Sequence, residues 1–220
     1  TEAANLVESG MRVGLGTGRT ARLFITALAA RMADGLVVPA VVATSRASEA
    51  DAKAGGLDVI DMMTAGAPLD LDLVVDGADE VDPALRLIKG GGASLLREKI
   101  VAQMARRFVV IVDHAKEVGT LGRFPLPIEV VPFGWAVTAA KIRAALDTEP
   151  VLRQRDGVPV VTDNGNHLVD CALGRIGDPE AVAARLNAIA GVVEHGLFLD
   201  EADEVLIGAE GGVRRVLRPA

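Results

Sequence analysis

From Asp76 to Lys99 the chain reads DGADEVDPALRLIKGGGASLLREK. Three aspartates, Asp76, Asp79 and Asp82, recur every third residue. A lysine, Lys89, precedes the glycines Gly90, Gly91 and Gly92, and a glutamate, Glu98, follows. Carboxylates can move protons, and a cation beside open backbone amides can hold an oxyanion. Together they fit proton chemistry on an anionic substrate.

A second group, GLGTGRT at residues 14–20, joins a short apolar stretch to a helical pattern. It is not a dinucleotide fingerprint, because Arg19 stands where the third glycine belongs and Thr44-Ser45 offers no acid for a ribose. It is not a P-loop, because the required lysine is missing. What remains is Thr17, Gly18, Arg19 and Thr20 at a helix N-terminus, a place for a single phosphate. The alternative is a tight turn with no ligand. DGADEVD fails the calcium-loop pattern, and His114, His167 and His195 are scattered, so no metal is expected. Asp76 ends an apolar strand and faces its ligand edge. Gly77 lets the backbone approach closely, and Asp79 lies one turn-length on. Glu80 and Asp82 read as a solvated acidic turn. KGGG reads as an anion nest with Lys89 as a point charge, or as a flexible loop entering a helix. Leu96, Ile100 and Met104 mark an apolar stripe from which Glu98 is displaced, so spacing alone makes Glu98 a surface residue. Lys116, in DHAK, reads the same way.

The elements that must hold these groups alternate. Strand-like segments at 11–14, 36–43, 71–75 and 108–112 are separated by helical patterns, and the candidate groups fall at strand C-terminal ends. Ser94 is placed to cap a helix reaching about Arg106. After Gly122 the pattern changes. LPIEVVP reads as an edge strand because of its prolines. A helix from Trp135 to Leu146, turns at Asp156-Gly157 and Asn164-Gly165, and a helix opened by Asp178-Pro179 follow. This order outlines a ferredoxin-like α+β module. The fold class is therefore α/β with a mostly parallel main sheet plus a small α+β domain. The expected domains are 1–122 with 196–220, and 123–195.

Composition narrows the partners. Apolar residues make up 50% of the 220-residue chain and aromatics 3%, so an aliphatic core is expected and disorder is excluded. The net charge is −7, with 23 basic against 30 acidic residues, which excludes a nucleic-acid footprint. The single cysteine, Cys171, fits a reducing, cytoplasmic setting. No apolar run approaches the roughly 18 residues of a membrane span, and no signal peptide is evident, so no membrane partner is expected.

Seven segments, GLGTGRTA (14–21), TSRAS (44–48), DGADEVD (76–82), KGGGASLLREKI (89–100), DHAK (113–116), PLPIEVVPF (125–133) and TDNGN (162–166), occur in one order across the chain. In that order they resemble the type A ribose-5-phosphate isomerase family. The resemblance implies a Rossmann-like main domain, a homodimer or homotetramer built partly through the small domain, and no cofactor. It implies that Glu98 is the proton acceptor and that Lys116 binds substrate. It carries the phosphate loop onto Thr17, Gly18, Arg19 and Thr20, and further substrate contacts onto Asp76 to Asp79 and Lys89 to Gly92. Arg19 stands where the family often has serine. Members usually carry a longer first helix with a lysine, whose contribution is not expected in this sequence.

The implied reaction moves a proton between adjacent carbons of an open-chain sugar phosphate through an enediolate. Glu98 is the base, Lys89 and the glycine amides stabilise the oxyanion, Asp76 opens the ring and Asp79 orients hydroxyls. Rival readings are a non-catalytic sugar-phosphate sensor, an aminosugar-phosphate isomerase or deaminase, and acyl-CoA transfer through a glutamyl ester. An isomerase assay, product analysis and covalent labelling of Glu98 separate them.

Overall fold

The computed structural model describes residues 1–66 and 69–218. The chain divides into two compact units, Thr1–Gly77 with Arg97–His114 and Glu201–Ala220, and Ala78–Leu96 with Ala115–Asp200.

The first unit is built on a six-stranded sheet among the described residues. Its order is Gly212–Leu217, Glu204–Ala209, Phe108–Asp113, Leu73–Asp76, Val13–Leu15, Val41–Ala43. All neighbouring pairs are parallel except the outermost, Glu204–Ala209 with Gly212–Leu217. Leu73–Asp76 is buried throughout, as a central parallel strand covered on both faces must be. The helix Arg19–Ala33 buries Ala21, Phe24, Ile25 and Leu28, one face at helical spacing. Phe24, Ile25 and Leu28 join Leu15, Val41, Leu73, Val75 and Val109 in the core. The stretch 36–43, expected to be one strand, is extended into the sheet only at Val41–Ala43. Pro39 cannot donate to a ladder, and Val37 is exposed.

Numbered along this unit, the strand order is 2-1-3-4-5-6. The order therefore reverses between Val13–Leu15 and Leu73–Asp76, and open α/β sheets bind ligands outside the strand C-termini at such a switch point.

The second unit holds an antiparallel sheet ordered Val192–His195, Leu126–Val130, His167–Cys171, Pro150–Leu152, with helices Trp135–Leu146 and Pro179–Asn187. In chain order that is 4-1-3-2, the ferredoxin-like arrangement. Ile128, Val130, Ile142, Val169, Cys171 and Leu186 form its core. Leu126–Val130 is not the expected edge strand. It lies between two neighbours and every residue is buried. Pro127 is tolerated because its carbonyl accepts from the Gly196 amide, just past the last paired residue of the neighbouring strand. Its missing N–H therefore falls where that ladder ends.

A three-stranded sheet, Leu197–Phe198, Leu87–Ile88 and Glu80–Val81, belongs to this second unit. Residues 78–96, 115–122 and 196–200 thus group with the α+β module rather than with the parallel sheet as the sequence boundaries had it. Glu80 helps hold them there: its buried carboxylate accepts from the Gly122 and Phe124 amides at 2.7 and 2.6 Å. Asp82 is buried too, taking the Ala84 and Arg86 amides and the Arg86 guanidinium. Neither is the solvated acidic turn its sequence suggested.

Candidate active site

In the first unit the candidate groups gather at the switch point. The strand Val13–Leu15 ends in Gly16, whose amide donates to Val75 O at 2.9 Å. The next amide, Thr17, donates to Asp76 Oδ1 at 3.0 Å, and the Gly77 amide donates to the same oxygen at 2.7 Å. Two backbone donors thus set the orientation of a buried carboxylate. A Cβ on Gly16 would lie 2.0 Å from that Oδ1 and 2.6 Å from Asp76 Cα, so only glycine admits this approach. The Thr17 hydroxyl pairs with the Thr44 hydroxyl at 2.7 Å. Thr44 opens the segment TSRAS, one of those that carry the resemblance, but no role at the site was expected of it.

Gly18, with φ 102°, precedes the helix Arg19–Ala33, and no side chain caps it. Gly18, Arg19 and Thr20 are exposed. The first-turn amides are therefore open to an anion on the positive end of the helix dipole.

Glu98 sits on the helix Leu95–Gln103 and is only 4% exposed. The buried positions of this helix include Leu95, Glu98, Lys99 and Ala102, the i, i+3, i+4, i+7 stripe, whereas Ile100 is 47% exposed. The apolar stripe drawn from the sequence was rotated from the buried one, because the buried face carries a carboxylate and an ammonium.

In the second unit, the Asp79 amide donates to Ile88 O at 2.8 Å, and Asp79 Oδ2 accepts the Gly91 amide at 2.7 Å. A Cβ on Gly91 would stand 2.6 Å from Asp79 Oδ1, so the carboxylate would have to shift to admit any other residue. The nest expected from KGGG is thus partly filled from within. Gly91 serves Asp79, while the exposed Gly92 amide has no protein partner among the described residues. Lys89 is 2% exposed, with its amide on Gly196 O and its Nζ 5.4 Å from the Phe198 ring centroid. A cation over an aromatic face is favoured by the ring quadrupole. Ala78 is half-buried beside Asp79, and Lys116 closes the short turn His114–Lys116, half-buried. Among the described residues, no group of three His, Cys, Asp or Glu side chains is arranged to hold a metal ion, and no helix is long and apolar enough to cross a membrane.

The profile of the family described as ribose 5-phosphate isomerase A (phosphoriboisomerase A) matches residues 40–212. The chain belongs to this family. The protein named ribose-5-phosphate isomerase A of Caulobacter vibrioides is 53% identical over 222 residues, covering 97% of this chain and 93% of that one. Ribose 5-phosphate isomerase A of Methanocaldococcus jannaschii superposes with a TM-score of 0.90 at 38% identity, over 98% of this chain and 95% of that one. A D-ribose-5-phosphate isomerase in complex with phospho-erythronic acid gives 0.91 at 38% identity, over 99% and 95%. Both domain types described above therefore recur in solved structures of this isomerase family.

Proposed function

We propose that the chain interconverts D-ribose 5-phosphate and D-ribulose 5-phosphate through an enediolate, with Glu98 as the base. The observation that carries the assignment is a carboxylate on the buried stripe of a helix, removed from bulk water in a member of an isomerase family. Glu98 takes the C2 proton of the open-chain aldose and returns it to C1, while the O2 hydroxyl gives up its proton and O1 gains one, so that the C1 carbonyl becomes a hydroxyl and C2 becomes the carbonyl through the enediolate. Lys89 and the Gly92 amide stabilise the oxyanion that forms between these steps, with Gly90 and Gly91 shaping the loop. Asp76 serves ring opening and Asp79 orients hydroxyls. The phosphate is held by Thr17, Thr20, the amides of Gly18 and Arg19, and Lys116. Held far from the reacting carbons, it supplies binding energy that fixes the sugar.

A relative's complex with phospho-erythronic acid supports this chemistry. That ligand pairs a phosphate with a planar carboxylate, which mimics the planar, oxygen-rich enediolate.

The test is a coupled assay of ribose 5-phosphate conversion in the presence of chelator. Steady formation of ribulose 5-phosphate is expected, and its absence overturns the reading. The assembly we assign is a homodimer or homotetramer, supported by exposed Phe133 and Val137 on the second unit. Light scattering at assay concentration decides it. The lone thiol Cys171 supports a cytoplasmic setting.

A further inference from the structure

The turn Gly90–Ala93 is held by a side chain from elsewhere in the second unit. Arg153 Nη1 donates to Gly90 O at 2.7 Å and to Gly91 O at 3.4 Å. Arg153 is itself gripped by Asp170 through Nε to Oδ2 at 2.8 Å and Nη2 to Oδ1. A two-point pairing of planar groups fixes the guanidinium more firmly than one contact. The main chain of Arg153 is pinned as well, its amide on Leu168 O and its carbonyl under the Val160 amide, both between 2.8 and 2.9 Å. Asp170 lies in the strand His167–Cys171, paired across to Val151. The donor is therefore anchored in a sheet, while its targets lie in a glycine turn with no side chains to stiffen it.

A peptide plane carries its C=O and the next N–H on opposite sides. The Gly90–Gly91 peptide is fixed at both ends, with its oxygen on Arg153 and its N–H on Asp79 Oδ2. The following peptide has its oxygen toward Arg153, so its N–H, that of Gly92, is directed away from the arginine. This is the amide left without a protein partner among the described residues.

We propose that Arg153, locked by Asp170, is a positioning residue for the reaction. It touches no substrate. It orients the Gly92 amide toward the oxyanion and keeps Asp79 in place through the Gly91 peptide. The proposal rests on the isomerase reading above. Preorganised amides stabilise developing charge without reorganising, so loosening this turn should slow the chemical step more than it weakens ground-state binding.

The test compares wild type with Arg153→Ala and Arg153→Lys in three measurements. In turnover, Arg153→Ala should lose on the order of 10–100-fold in kcat with KM changed less than about threefold, the scale set by small misplacements of positioned groups. Arg153→Lys, which keeps the charge but not the fork, should fall between. Inhibition by phospho-erythronic acid should weaken roughly in proportion to kcat, and added guanidinium should restore part of the Arg153→Ala rate. In hydrogen exchange, the Gly91 amide should exchange faster in Arg153→Ala while amides of the strand Leu126–Val130 stay protected. Unchanged kcat, or unchanged Gly91 exchange, overturns the proposal. So does a loss of activity that merely follows a lowered melting temperature with no guanidinium rescue. A wild-type chain without isomerase activity overturns the functional reading instead, and the exchange measurement still decides whether Arg153 holds the turn.

Discussion

Glu98 shows why single residues are the hardest part of a site to read. Its neighbours Leu96, Ile100 and Met104 suggest one buried face, and the helix buries another. Periodicity locates apolar faces, and a catalytic face is often the one that breaks the pattern. Only the resemblance pointed to Glu98. Replacing it by Gln keeps shape and removes the proposed base, so kcat should fall on the order of 10²–10⁴-fold with KM little changed. Near-normal turnover of Glu98→Gln would end the assignment. Gly16 is the opposite case, legible from a glycine-rich loop but not for its real reason. Its place is set by Asp76, whose Oδ1 and Cα would lie 2.0 and 2.6 Å from an added Cβ. A side-chain rotation relieves the first clash and not the second. Gly16→Ala should therefore displace the strand end, destabilising the fold by about 1–3 kcal/mol and lowering turnover. Chemical denaturation and kinetics of a Gly16→Ala variant with native stability and native kcat would refute the close approach.

At the scale of elements, punctuation was the most readable signal. Ser45 and Ser48 form a reciprocal capping box before the helix Arg46–Ala54, and the Asp178 side chain caps the helix that Pro179 opens. The second was visible as Asp178-Pro179 in the sequence because capping chemistry is local. Ser45→Ala removes an acceptor for the Ser48 amide at 3.0 Å. It should cost about 1 kcal/mol of stability, read as a shifted urea midpoint with unchanged slope. An unchanged midpoint would mean the box contributes nothing. The strand Leu126–Val130 was misread for a matching reason. A proline argues for an edge unless the neighbouring ladder stops beside it, and where a ladder stops is set by a strand that begins 62 residues later in the chain, at Val192 after Val130. No local pattern carries that.

At the scale of the whole chain, the two fold types were legible, and their boundaries less so, because Leu87–Ile88 pairs with Leu197–Phe198 across 110 residues. Such long-range pairing leaves no composition shift. The second unit also contains the chain's one thiol, which gives that unit a chemical reporter. Cys171 is fully buried in an aliphatic core, and burial, with a smaller contribution from neighbouring Asp170, pushes its pKa from 9.0 up to about 12. The folded state therefore holds the neutral thiol where an unfolded chain would ionise. Below pH 9 both states are protonated and the contribution is fully present. As pH rises from 9 toward 12, only the unfolded state ionises, and stability falls by about 1.4 kcal/mol for each pH unit. Lysines titrate in the same range, so the informative quantity is the difference between wild type and Cys171→Ala. Between pH 8 and pH 10.5 the wild type should lose about 2 kcal/mol more than the variant in urea unfolding. Below pH 9 the native thiol should react with a disulfide reagent only at the rate at which the second unit opens. Parallel pH curves for the two proteins, or rapid labelling of the native chain at pH 8, would show that Cys171 is not held in a closed core.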